Sequence, residues 1–262
     1  MPELPDVELF KRYLDATSRH REVAHAMVSS SRVLRCAPST LRRNLQGESL
    51  TESRRHGKHL FAAISNGRWL EMHFGMIGNL EAFQERELEP EHVQLRLDFA
   101  DGWHLAYVNT RLLGKLDVVE DPAAVIQELG LGPDALDLEP GEVRELLDGR
   151  RGMVKPTLMN QSVIAGLGNV WTDEILFQAR IHPETAIPRL SEDEVETLFT
   201  TMGRVLAEGI EHGVNLDELP ASFLLVHREE GADCPRGCGG TVKRISVSGR
   251  AGYYCPSCQE RE

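Results

Sequence analysis

The sequence predicts an α+β chain of two domains, strand-rich first and helical second, closed by a small cysteine-bearing module. Three observations predict it. Apolar and polar residues alternate through Val93, Leu95, Leu97 and Phe99, turn at Asp101-Gly102, and alternate again through Trp103, Leu105 and Tyr107, as in a hairpin with one buried face. After Pro122 the apolar spacing becomes that of helices. Four of the five cysteines cluster between positions 234 and 258.

The elements follow in order. Val7, Phe10 and Leu14 recur at helical spacing over 5–16, with Pro5 near the start, where its missing N–H costs nothing. From about 23 to 119 strands dominate, with short runs at 58–64, 68–74 and 78–83 punctuated by Asn66-Gly67 and Gly75. Turn signals this frequent predict a sandwich or barrel-like β-domain over 1–130. Residues 131–141, rich in Gly, Pro and acids, read as an interdomain linker. Helices are expected at 142–148, 156–164, 170–179, 191–212 and 217–226, making a helical domain over 142–228 before a terminal module over 229–262. No internal repeat or low-complexity segment interrupts this order.

Composition narrows the function classes. No apolar run approaches the ~18 residues of a membrane span, and MPELPDVE lacks the basic and apolar regions of a secretory signal. A cytoplasmic chain without a membrane partner is expected. The net charge of −12 argues by itself against a nucleic-acid partner, but it is unevenly placed. Residues 1–60 carry 11 basic and 7 acidic side chains, and 149–190 and 231–262 carry 5 and 3 each. The acids sit in 81–148, with 17 against 5, and in 191–230, with 10 against 2. A basic working face with an acidic back would give this pattern, as would charges scattered over a solvated surface.

The cysteines read Cys234-x3-Cys238-x16-Cys255-x2-Cys258. Two close pairs on two tight turns suit a tetrahedral Zn2+ site; two disulfides are the less suitable reading for a cytosolic chain. With four thiolates the metal has no open position and is structural. Val242, Ile245 and Val247 alternate as a strand would between the pairs. Cys36 stands alone and reads as a small buried residue rather than a nucleophile.

At the N-terminus, Pro2 follows Met1 and precedes Glu3. Removal of Met1 would expose a secondary amine whose reference pKa, about 8 for an N-terminal amine, leaves a useful fraction unprotonated. Such an amine can form a Schiff base at a sugar carbon, with a neighbouring carboxylate moving protons. Alone the pattern is weak and common, and a disordered start or a helix N1 position is the better reading of Pro2.

Four motifs in register change that reading: MPELPDVE at the start, HFGMIG at 73–78, GLGNVWTDE at 166–174 and SGRAGYYC in the cysteine module. Together, over essentially the whole chain, they resemble the formamidopyrimidine-DNA glycosylase/endonuclease VIII family, with PELP closer to the formamidopyrimidine branch. The resemblance implies an N-terminal β-sandwich flanked by helices, a helix–two-turn–helix domain and a zinc finger with four cysteine ligands. It implies a bifunctional glycosylase and AP lyase acting as a monomer on damaged double-stranded DNA. By matching motif, Pro2 would be the nucleophile, Glu3 the acid/base and Lys58 a strand-borne catalytic cation at phosphates near the lesion. Asn169, between Gly166-Leu167-Gly168 and its helix, and Arg250 would grip phosphates; Lys155 would contact the DNA too, and Glu174 would lie near the lesion pocket. Met76, Arg111 and Leu113 would fill the hole left by the flipped nucleotide. His73 reads as structural or functional alike.

The chain departs from the family pattern in places. Leu113 stands where the family commonly has an aromatic residue, so it fills space but stacks less well. Only residues 214–233 separate the last long helix from Cys234, too few for the loop that caps flipped 8-oxoguanine. That puts 8-oxoguanine preference in question and suits ring-opened formamidopyrimidines, abasic sites or oxidised pyrimidines. Asp6 for the frequent Glu and three residues within the first cysteine pair are minor. An endonuclease VIII-like enzyme, an AP lyase with weak glycosylase activity, and a non-catalytic zinc-dependent DNA-binding protein stay open as alternatives.

Overall fold

The computed structural model describes residues 1–139 and 141–260. Pro140 in the expected linker, and Arg261 and Glu262 in the expected terminal module, lie outside the described residues. The chain forms two compact units, the first of Asp6–Leu129 with Met1–Pro2, the second of Glu3–Pro5 with the chain from Gly130 onward.

In the first unit, which α1 (Leu4–Ser18) enters at Asp6, the elements that follow are β1 (Val23–Val28), α2 (Pro38–Leu45), β2 (Leu50–His56), β3 (His59–Ile64), β4 (Trp69–His73), β5 (Gly78–Phe83), β6 (Val93–Phe99), β7 (His104–Asn109), β8 (Lys115–Val119) and α3 (Pro122–Glu128). The strands make two four-stranded sheets, ordered β1-β6-β7-β5 and β2-β3-β4-β8, antiparallel throughout. Leu60, Ala62, Leu70, Met72 and Leu116 of one sheet share a core with Leu80, Leu95, Leu97, Leu105 and Tyr107 of the other. Val7 and Leu14 of α1 close one side of that core. Each fully buried aliphatic side chain contributes about 1.5–3 kcal/mol, and period-2 alternation delivers them to one face. The predicted hairpin is present, with Leu97 opposite Leu105 and Gly102 at φ +86°.

The second unit holds α4 (Glu142–Leu147), α5 (Val154–Leu158), α6 (Asn169–Ala179), α7 (Glu192–Glu211), β9 (Lys243–Val247) and β10 (Arg250–Tyr254). A capping box of Ser191 and Glu194 starts α7. Among α6 residues, Trp171 through Phe177 are all buried, so this helix is the centre of the unit. Among the described residues no helix is long and apolar enough to cross a membrane.

Four expectations are corrected. Residues 38–45, within the stretch read as strands, form a helix, with Pro38 in its first turn and only Leu41 and Leu45 as buried apolar residues. The helix expected at 156–164 is α5 alone, because the Asn160 side chain accepts from the amide and hydroxyl of Ser162 and turns the chain. The helix expected at 217–226 is reduced to a 3-10 turn at Leu224–His227; Pro220 lacks a donor and biases its predecessor away from helix. Over its described part, the expected linker is packed into the second unit. Gly132 and Ala135 donate to the carbonyls of Gln161 and Ala165, and Ala135 and Leu138 are buried.

Candidate active site and metal centre

Glu3 is 2% exposed, and the residues ahead of α6 explain how it is held. Gly166, Leu167 and Gly168 bring the chain to the helix N-terminus, where four amides have no partner within the helix. The Glu3 carboxylate takes three donors there: Gly168 N at 2.9 Å, Val170 N at 2.9 Å and Trp171 N at 3.2 Å. The helix dipole favours the negative charge at this end. Gly168 is required for the approach, since a Cβ there would overlap the Glu3 carboxyl group. Leu4 N donates to Gly166 O at 3.1 Å, so two consecutive residues after Pro2 are tied to this turn. Pro2 is half-buried, and its nitrogen is an amide until Met1 is removed.

The same helix end organises the β9–β10 hairpin. Asn169 Nδ2 donates to Ala251 O at 2.9 Å, while its Oδ1 is buried without a hydrogen bond. Asp173, fully buried, accepts from Lys155 Nζ at 2.6 Å, Arg228 Nη2 at 2.8 Å, Arg228 Nε at 3.2 Å and Tyr253 N at 3.2 Å. Lys155 Nζ also reaches Ala251 O at 3.4 Å. Arg250, one residue before, is exposed beside the hairpin turn. Lys155, expected to contact the DNA, is 1% exposed and paired with Asp173. Burial pushes the Lys155 ammonium down and Asp173 up, and the pairing opposes both shifts. We read the pair as charged, since two further guanidinium contacts and an amide also face the carboxylate.

Glu174, expected near the lesion pocket, is fully buried. It accepts from Gln178 Nε2 at 2.8 Å and Leu225 N at 2.8 Å, anchoring the 3-10 turn to α6. Burial raises its carboxyl to about 7.

In the first unit Lys58 stands buried at the start of β3. Near it, Glu71 Oε1 meets His59 Nδ1 at 2.8 Å, and the rings of His59 and His73 are 4.9 Å apart. Burial, then the His59 and Lys58 charges, lowers His73 to about 4 despite Glu71. A neutral His73 uses Nδ1 to accept from Gly75 N at 3.3 Å, a contact that ties the 74–78 turn to the end of β4. That turn and the 110–114 loop carry the three expected wedge residues. Met76 is 44% and Leu113 49% exposed, and Arg111 Nη1 lies 3.7 Å from Met76 Sδ. Asn109, which the sequence reading missed, ties the two segments: its Nδ2 donates to Phe74 O at 2.9 Å and its Oδ1 accepts from Leu113 N at 3.1 Å.

The Sγ atoms of Cys234, Cys238, Cys255 and Cys258 all lie within 4.8 Å of one another. Thiolates ~2.3 Å from a tetrahedral zinc stand about 3.8 Å apart; Cys234–Cys258 is 3.7 Å and Cys238–Cys255 3.6 Å. The four residues therefore fit one structural zinc, with no position left for substrate. Cys234 and Cys255 pack with Phe177, Leu224 and Val242, so the metal would pin the finger to α6. Cys36 is half-buried, and burial raises its thiol, consistent with a packing role.

Comparison with known proteins gives three consecutive matches. Residues 1–116 match the formamidopyrimidine-DNA glycosylase N-terminal domain, 129–218 the formamidopyrimidine-DNA glycosylase H2TH domain, and 233–261 the zinc finger found in FPG and IleRS. A formamidopyrimidine-DNA glycosylase of Syntrophomonas wolfei is 33% identical, covering 99% of this chain and 100% of that one. Two solved structures from Lactococcus lactis each cover 99% of this chain and 100% of their own, at 26% identity. One is wild-type Fpg (MutM) with DNA containing N7-benzyl-Fapy-dG, at a TM-score of 0.90; the other is Fpg with DNA containing an abasic site, at 0.88.

Proposed function

The chain belongs to the formamidopyrimidine-DNA glycosylase family and is a base-excision repair glycosylase with AP lyase activity, in which we propose that Pro2 and Glu3 perform the covalent chemistry. With Met1 removed, the Pro2 nitrogen attacks C1′ of the damaged nucleotide. The C1′–N bond breaks, and the base leaves with the bonding electrons and takes a proton from water. The Glu3 carboxylate takes the proton of the Pro2 nitrogen and passes it to O4′ as the deoxyribose ring opens, leaving an iminium ion between Pro2 and C1′. Loss of a C2′ proton then expels the 3′ phosphate by β-elimination, and hydrolysis returns the free amine.

The observation that carries this reading is the fixed carboxylate. Three amides of the α6 start hold Glu3, one residue from the proposed nucleophile, so proton transfer needs little reorganisation. Lys58, Asn169 and Arg250 bind phosphates in this reading. Met76, Arg111 and Leu113 occupy the gap left by the flipped nucleotide, and their exposure supports that role. Zinc supplies no step; it holds the hairpin that presents Arg250.

The substrate is a ring-opened formamidopyrimidine in double-stranded DNA, and the enzyme acts as a monomer in the cell interior. Relatives crystallised with a modified Fapy-dG and with an abasic site support the lesion class. The short 214–233 segment, tied to α6 through Glu174 and Leu225, disfavours 8-oxoguanine. The test is borohydride trapping on duplexes carrying a formamidopyrimidine, 8-oxoguanine, an oxidised pyrimidine or an abasic site, after confirming a free Pro2. An adduct mapped to Pro2, strongest with the abasic and formamidopyrimidine duplexes, is expected. Absence of any adduct with Pro2 free would overturn the mechanism.

A further inference from the structure

We infer that Ile77 is a fourth side chain inserted into the duplex at the lesion, and that it determines how strongly damaged DNA is told from undamaged DNA. The inference rests on the reading of Met76, Arg111 and Leu113 as the residues that fill the vacated position. Ile77 is 52% exposed, more than either Met76 or Leu113. Its neighbours Phe74 and Gly78 are buried, so exposure is a property of the two central side chains and not of a loose segment.

The backbone under Ile77 is stiff. Asn109 joins the Phe74 carbonyl to the Leu113 amide, and the Tyr107 hydroxyl donates to His73 O at 2.8 Å. Gly75 sits at φ +62°, and a Cβ there would lie 2.6 Å from the Leu113 carbonyl carbon. The 74–78 turn and the 110–114 loop are thus one tip, with three aliphatic side chains and a guanidinium projecting from it.

An exposed turn has no folding use for adjacent Met and Ile. Apolar groups gathered on one tip mark a surface that is buried in a complex, and apolar wedges between base steps are how proteins fill and kink an unstacked duplex. The two residues divide the task by stiffness. Met76 has three rotatable bonds and adapts to irregular space. Ile77 is β-branched and held at χ1, so it loses little rotamer freedom on insertion. Leu113 offers volume without a π-face, and Ile77 supplies the further apolar area that displaces water from the adjacent base step.

The test measures binding of Ile77→Thr and Ile77→Val to a duplex with a tetrahydrofuran abasic analogue and to an undamaged duplex, with 2-aminopurine beside the analogue. Threonine keeps the branched Cβ, and the site is exposed, so thermal unfolding should be unchanged. Ile77→Thr should weaken binding to the analogue duplex about tenfold and reduce the 2-aminopurine fluorescence gain. Undamaged-duplex affinity and salt slope should not change, and Ile77→Val should recover most of the loss. Unaltered discrimination in Ile77→Thr, with Met76→Ala losing it, would overturn the role of Ile77 alone. If Met76→Ala also keeps discrimination, the wedge reading of the whole tip falls. An equal loss on both duplexes would make Ile77 a general contact and overturn its specificity role.

Discussion

Replacing Gly168 by alanine isolates the placement of the Glu3 carboxylate from every other feature of the site. Gly168 has φ −124° and ψ −162°, extended backbone that alanine adopts without strain. The added methyl would overlap the Glu3 side chain, at its carboxyl carbon and Oε1. Glu3 must move by roughly an ångström or more, breaking some or all of its three amide contacts. Displacements of that size in a reacting group cost on the order of 10²-fold in rate. The stability loss should be smaller, about 1–3 kcal/mol, because water can reach the freed amides of a helix start. Single-turnover excision from a formamidopyrimidine duplex should therefore fall about 100-fold, while borohydride trapping at a preformed abasic site falls less than tenfold. Gly203→Ala, in mid-α7 with nothing within 4 Å, should leave activity unchanged and add about 0.5–1 kcal/mol of stability. Excision by Gly168→Ala within threefold of the parent would refute the claim that Glu3 acts from this position.

Chelating the zinc should release the β9–β10 amides to rapid hydrogen exchange while those of β3, β4, β6 and β7 stay protected, and DNA affinity should drop with the hairpin. Glu174 holds its proton to about 7 when folded, against 4.5 for an ordinary glutamate. The folded state thus binds more protons between these values, so this contribution to stability is full below about 4.5 and lost as pH rises through about 7; Glu174→Gln should flatten that slope in urea titrations. Asn109→Ala strands the Phe74 carbonyl and the Leu113 amide and should cost about 2–4 kcal/mol in unfolding free energy. DNA affinity should fall steeply with salt despite the net charge of −12, because phosphate contacts release counterions; a flat response would remove the basic face from the argument.

What the sequence made legible was whatever depends on neighbours in the chain. Alternation over 93–107, the Asp101-Gly102 turn, and the cysteine spacings each specify local geometry, and all are present. The 38–45 helix was hidden because two leucines four apart give too short an apolar pattern to separate from a loop. The pairing of Lys155 was hidden because its partner lies 18 positions away, and the carbonyl it also meets lies 96 away. Asp173 was visible inside GLGNVWTDE, but Arg228 carried no local signal at all. Asn109 could have been noticed as a polar residue ending an apolar strand just before Arg111; its two-loop role needs the long-range pairing of β5 with β7.

One physical device recurs in both units and explains why these hidden residues matter. Side chains meant for DNA must stand in water when DNA is absent, where ordering a long side chain costs up to ~2 kcal/mol of rotamer entropy. Setting a flexible backbone beneath it would add more. In the first unit Asn109, buried and bonded to both segments, removes that backbone freedom under Met76, Ile77, Arg111 and Leu113. In the second unit Asp173 does the same, collecting Lys155, Arg228 and the Tyr253 amide next to Arg250. Removing either leaves every proposed DNA-contacting side chain in place but on a looser mount. Asp173→Asn should therefore weaken DNA binding without altering the salt slope, since the count of phosphate contacts is unchanged, whereas Arg250→Ala should reduce the slope by about one contact. Measured slopes that fall equally in both variants would mean that Asp173 does not act through the hairpin's order.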